Sequence, residues 1–212
     1  MVKGIIGGLI GGAIGAAIWA AIAYFAHVQS GLVAIGVGAL VGCGTFMFAG
    51  NDVSPVTGAA AALIALASIA AGKYLAVHAY FANVSGVAHK ALTVDENMAL
   101  IHISRQVAEE WEKGGKKLEW PKGSDIDDAT EEAEFPKGVW ADAKGRWNAM
   151  SETQKDGYKR DLQENLHAEI DGVVAGVESD AFAKSFTFFD ILWAFLAIGS
   201  AYKLGSGEAE GR

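Results

Sequence analysis

At 212 residues the chain has room for one or two domains, and 51 % hydrophobic content beside a formal charge of −8 splits it into an apolar part and a polar part. Residues 83–185 hold 21 acidic side chains against 13 Lys plus Arg, so this one segment carries the whole net charge. An acidic segment without a basic patch argues against nucleic acid and anionic headgroups as partners, leaving a cationic protein surface or metal ions.

Gly4 to Phe81 contains three apolar runs broken only at His27 to Gly31 and Gly50 to Pro55, with Asp52 and Lys73 as its only charges. Each run is long enough to cover about 30 Å of hydrocarbon at 1.5 Å per residue, so each reads as a transmembrane helix. Lys3 ahead of the first run resembles the start of a signal peptide, but the run is too long for one and no cleavage site comes after it. The first run carries two ladders at four-residue spacing: Gly4, Gly8 and Gly12, and beside them Gly7, Gly11 and Gly15. Ala34, Gly38 and Gly42 repeat the device in the second run, and Gly58, Ala62, Ala65, Ser68 and Gly72 in the third. Small residues let helix backbones approach closely in lipid. Such ladders have two uses: packing within one hairpin bundle, or a subunit-to-subunit or pore-lining zipper, for which replacing Gly8 and Gly12 with Leu would lower the oligomer mass. The loop at residues 27–31 makes the first two helices antiparallel, and Ser54 before Pro55 starts the third, which is expected to end near Tyr80. Cys43 stands alone, so no intramolecular disulfide forms.

Beyond Asn83 the pattern is that of amphipathic helices. Thr93 with Glu96 forms a capping-box pattern for a helix that Gly114 and Gly115 stop. Glu119-Trp120-Pro121-Lys122-Gly123 is echoed as Glu134-Phe135-Pro136-Lys137-Gly138, a pair of turns of which the second opens a helix through Trp140 and Trp147. Ser151 with Gln154 caps a longer helix with a stripe at Tyr158, Leu162, Leu166, Ile170, Val173 and Val177. Three such helices make a small bundle with a tryptophan-rich core. A fourth apolar run, Phe186 to Tyr202, has aromatic residues at its start and Tyr202 and Lys203 at its end as interface anchors, with a Gly/Ser/Glu tail over 205–212. The fold class is therefore all-α: four transmembrane helices, with domains at 1–82, 83–185, 186–204 and a tail.

Candidate chemistry is sparse. Asp125, Asp127, Asp128, Glu131 and Glu132 lack the EF-hand register and read as a solvated acidic loop, although a metal there stays open. The histidines lack zinc-ligand spacing, and no nucleophile elbow or phosphate loop is present. No catalytic residue, metal site or cofactor is assigned. Trp140 to Asp161 resembles part of an HMG box in its Trp, Met-Ser and Tyr positions, but the basic arm is missing and the segment is acidic.

One pair stands out. Lys73 and Asp190 lie inside apolar runs, and a chain that leaves the membrane after the third helix and re-enters with the fourth brings them to similar depth. The expectation is an intramembrane ion pair that docks the fourth helix, with Tyr74 and His78 lending hydrogen bonds; the alternative is a snorkelling Lys73 and a hydrated Asp190.

Trp19-Ala20-Ala21-Ile22-Ala23-Tyr24-Phe25, Gly72-Lys73-Tyr74-Leu75-Ala76-Val77 and Phe189-Asp190-Ile191-Leu192-Trp193 give the chain its resemblance to a group of uncharacterised bacterial inner-membrane proteins. The resemblance implies the membrane architecture and no activity. The expected function is a non-enzymatic structural or accessory membrane subunit, a homo-oligomer or part of a larger complex in the lipid bilayer of the bacterial inner membrane, with cytoplasmic termini and an acidic domain contacting a partner. The alternative is an oligomeric pore or transporter.

Overall fold

The computed structural model describes residues 1–26 and 31–208; residues 27–30 and 209–212, with His27 and Arg212, lie outside the described residues. The described chain is helical, without strands: α1 (Val2–Ala26), α2 (Gly31–Ala49) with a 3-10 turn at Gly50–Asp52, α3 (Pro55–Ala91), α4 (Glu96–Lys113), a second 3-10 turn at Glu132–Glu134, α5 (Val139–Ala149), α6 (Glu152–Lys184) and α7 (Phe188–Gly205). Four helices are long and apolar enough to cross a membrane: α1, α2 with its 3-10 extension, α3 and α7. Two compact units result, one from Met1–Ser85 with Val173–Arg212 and the other from Gly86–Gly172.

In the first unit the glycines fix which helices touch. Gly4 lies against Ala49 and Thr45, Gly11 against Leu40 and Gly15 against Val37, so α1 and α2 run antiparallel. Gly12 meets Ile64 and Ser68 while Gly72 meets Trp19, which sets α3 parallel to α1. Gly38 abuts Ala197 and Gly42 abuts Ala201, so α7 lies along α2; Gly58 against Ser206 at one end and Lys73 against Asp190 at the other set it antiparallel to α3. The order around the bundle is α1, α2, α7, α3. Val37, Val41, Ala61, Ala65, Ile69, Ala197 and Ala201 fill the middle. At one end the Met1 ammonium pairs with Asp52 at 3.0 Å, and the Thr57 hydroxyl donates to the Gly205 carbonyl at 2.8 Å.

These contacts give the ladders the first of the two uses, packing within one bundle. A methyl on Gly7 would collide with the Gly44 carbonyl, and one on Gly8 would sit 2.5 Å from the Thr45 hydroxyl. Both ladders are filled by α2 and α3 of the same chain, because two glycine faces on one helix accept two neighbours at backbone distance.

α3 also differs from its expected end near Tyr80, running on to Ala91. Asn83, Ser85 and Gly86 weaken a helix by at most about 1 kcal/mol each, and without a proline they do not stop it. The boundary drawn at 82/83 therefore falls inside a continuous helix.

The second unit packs α4 and α5 around Leu100, Ile103, Val107, Phe135, Val139, Trp140 and Trp147, with Tyr158 of α6 against that core. Its α4 is capped by Asp95, whose Oδ1 accepts from the Met98 N–H at 2.8 Å, and not by Thr93. Asp95 adjoins the first helical residue, whereas Thr93 lies a further two residues back. The two Pro-Lys-Gly turns share a backbone, since Gly123 has φ 90° and Gly138 has φ 92°, values that exclude most side chains. Ser151 and Gln154 exchange hydrogen bonds at the start of α6. Of the expected stripe on α6 only Leu162 is buried; Val173 and Val177 are exposed. Val173 and Val177 fall in the first unit, apart from the core of the second.

Candidate functional site

The structure brings Lys73 and Asp190 together: Nζ lies 2.7 Å from Oδ1, and Lys73 is 3 % exposed. Gly72 makes the burial possible by letting Trp19 close over this turn of α3, its Cβ 3.0 Å from where a methyl would stand. Lys73 Nζ also donates to the Ser185 carbonyl at 2.7 Å and lies 4.7 Å from the centre of the Phe186 ring. One ammonium thus meets a carboxylate, a carbonyl and an aromatic face, three groups that stabilise a cation away from water.

Asp190 has a second role. Its other oxygen, Oδ2, accepts from the backbone N–H and the hydroxyl of Thr187, closing a capping box at the start of α7. The Thr187-x-x-Asp190 spacing ahead of an apolar run was the sequence signal for this arrangement, and Ser185, Phe186 and Thr187 were missed with it. The pairing has another origin than the one expected. α3 does not end near Tyr80; instead α6 ends at Lys184 and three residues join it to α7, so the tight corner places Asp190 beside Lys73.

Tyr74 and His78 do not serve the pair. His78 Nδ1 lies 3.0 Å from Glu178 Oε1, and Tyr74 stacks on His78 and meets the Phe182 ring edge-on. Both side chains face the last turns of α6, at and beyond Glu178, where the expected stripe had ended at Val177.

In the second unit His89 and His167 stack with ring centres 4.1 Å apart, and His89 Nε2 lies 3.1 Å from Asp171 Oδ1. His102 Nδ1 and the Tyr158 hydroxyl are 2.7 Å apart. Burial, then the nearby Arg105, holds His102 below the usual histidine value, while Glu169 opposes them. Arg146 spans α4 and α5, gripping both oxygens of Glu110 at 3.1 and 2.7 Å and Asp142 at 3.0 Å. In the acidic loop Asp125 Oδ1 accepts from the N–H groups of Asp127 and Asp128, a local turn. Among the described residues no group of three His, Cys, Asp or Glu side chains is placed to hold a metal.

No family model, curated protein or solved structure matches the chain.

Proposed function

We propose that the protein is a non-enzymatic integral membrane subunit. Its first unit crosses the bilayer four times, its glycine ladders are spent on holding those helices together, and its second unit presents an acidic helical surface to a partner in water. One observation carries this reading: the first unit is inverted relative to a soluble bundle. Its interior is glycine, alanine and valine, while Ile6, Leu9, Ile14, Leu63, Phe188, Phe195 and Leu196 point outward. A continuous apolar surface of that kind is stable against lipid and not against water. The buried polar side chains of this unit are Thr45, Thr57, Ser68 and Lys73, and Lys73 is neutralised. They do not line one helix face as the wall of a channel would, which favours a packed scaffold over a pore. By the resemblance of its helices the membrane is the bacterial inner membrane, with Lys3 and Lys203 on the cytoplasmic side.

The test is gentle solubilisation of the native membrane, then mass measurement and identification of co-purifying chains. A defined complex, of copies or of a partner lost on deleting residues 86–172, is the expected result. A chain released by alkaline carbonate, or one that purifies alone as a monomer, would sink the proposal.

A further inference from the structure

We propose that the groove between α4 and α6 in the second unit binds an apolar amino acid or dipeptide in its zwitterionic form. The groove measures about 580 Å³, within the range of small-molecule sites, roughly 300–1,000 Å³. His102 and Arg105 of α4 line one side, and Leu162, Asn165, Leu166 and Glu169 of α6 line the other. Positions three and four apart share a helix face, so each helix turns one set of side chains into the groove.

The polar groups on the α4 side are held in place by the protein itself. Arg105 is half-buried, and its Nη2 donates to the carbonyls of Asp127 at 2.6 Å and Ala129 at 3.3 Å, which anchors the guanidinium at one end. Its Nη1 has no hydrogen-bond partner among the described residues. His102, also half-buried, is anchored in the same way: Nδ1 lies 2.7 Å from the Tyr158 hydroxyl, and Nε2 is left without a partner among the described residues. Burial and then Arg105 hold this ring below the usual histidine value while Glu169 opposes them, so both charges lie within electrostatic range of one imidazole.

The two opposite charges of the groove do not close on each other. Arg105 and Glu169 line the same hollow, yet among the described residues they form no ion pair, and Glu169 forms no hydrogen bond. On the other side of α4 the opposite charges do close, as Arg146 does on Glu110 and Asp142. A guanidinium and a carboxylate kept on facing walls complement a ligand with the reverse order of charge. Its carboxylate meets Arg105 Nη1 and His102 Nε2, and its ammonium meets Glu169 and the Asn165 amide oxygen. Buried Leu162 and neighbouring Leu166 give the ligand's hydrocarbon an apolar wall. A simple anion would meet Glu169 unfavourably and a simple cation would meet Arg105 unfavourably, whereas a zwitterion satisfies both.

The full-length chain in detergent is titrated by calorimetry at neutral pH with leucine, leucyl-leucine, N-acetylleucine and leucine amide. At least one of the two zwitterions should bind saturably, one per chain, and the tighter of them fixes the ligand's length. N-acetylleucine lacks the ammonium and leucine amide lacks the carboxylate, so each should bind about tenfold more weakly than leucine, the loss of one hydrogen bond to a charged group. Glu169→Gln, at an exposed position, should lower affinity for the zwitterion several-fold without lowering affinity for N-acetylleucine. Ala168→Phe, an exposed residue on the same wall, should block both. No saturable binding of either zwitterion at millimolar concentration, N-acetylleucine or leucine amide binding as tightly as leucine, or unchanged affinity in both variants overturns the proposal. A chain that binds neither zwitterion yet purifies in a defined membrane complex overturns this inference alone and leaves the subunit reading standing.

Discussion

Lys73 shows how one buried cation is made tolerable and how much it depends on each partner. Asp190→Asn keeps an acceptor for Thr187 and so keeps most of the α7 cap, but it leaves Lys73 facing neutral groups. Removing one member of a buried pair costs about 3–5 kcal/mol, and the lower figure applies here because Asp190 is part-exposed at 24 %. Lys73→Met should cost less than Asp190→Asn, since Asp190 retains Thr187. The double variant should recover at least about 1 kcal/mol of the sum in unfolding measured in detergent, and strict additivity would show that the contact carries no coupling. His102 offers a second test at this scale. Its value in the folded protein lies below the ordinary 6.5, so between the two values the unfolded chain binds more protons than the folded one. Stability of the second unit is therefore full above pH 6.5 and falls as pH drops below it. Glu110 and Glu134 have lowered values, held down by Arg146 and by the backbone N–H groups of Thr130 and Glu131, so their contribution is lost only below about pH 4.5. A loss of stability between pH 6.5 and 5 that disappears in His102→Gln is the expected signature; an unchanged slope would assign it to other groups.

Among the elements, the glycines divide into those that touch a neighbour and those that do not, and the division makes opposite forecasts. Gly7→Ala drives a methyl into the Gly44 backbone and should destabilise the bundle by about 1–3 kcal/mol, the usual cost of overpacking. Gly36 and Gly199 have open space around them, and Gly→Ala there should stabilise by up to about 1 kcal/mol through helix propensity alone. Thermal unfolding in detergent separates the two classes, and similar shifts for all three would mean that the close approaches are not tight in the membrane. Asp95→Ala should cost about 1 kcal/mol and Thr93→Ala close to nothing, because only the first accepts from a helix N–H. These positions also show what the sequence made legible. The spans, the Gly114 stop and the Ser151 cap derive from hydropathy and local hydrogen bonding, which act over a few residues. The partners of Gly8 and Gly12 were open, since a small face records that something comes close but not what. Lys73 and Asp190 could be matched because two rare charges in apolar runs have few alternatives. Glu178 for His78 could not be matched, because acids are common on α6 and only the length of α3 and α6 selects one.

For the molecule as a whole, the division into two units predicts separable stability. Residues 86–172 close around Leu100, Ile103, Val107, Phe135, Val139, Trp140 and Trp147, a set drawn from α4, α5 and the turn between them, to which α6 adds Tyr158. None of these side chains needs a residue of the other unit to be buried, and the caps at Asp95, Gly138 and Ser151 lie within the segment. Cutting at Gly86 and Gly172 removes helical continuations that contribute no side chain to this core, and helix ends fray at little cost. The fragment should therefore be soluble without detergent, with helical circular dichroism, a single cooperative unfolding transition, and tryptophan emission shifted to the blue by buried Trp147. Trp147→Ala should abolish the transition or lower it by about 3–5 kcal/mol, because this ring is the largest fully buried side chain. A fragment that is helical yet unfolds without cooperativity, and emits like solvent-exposed tryptophan, would show that the core is completed by the membrane helices or by a partner. The acidic surface would then be one side of a shared fold and not a free docking face.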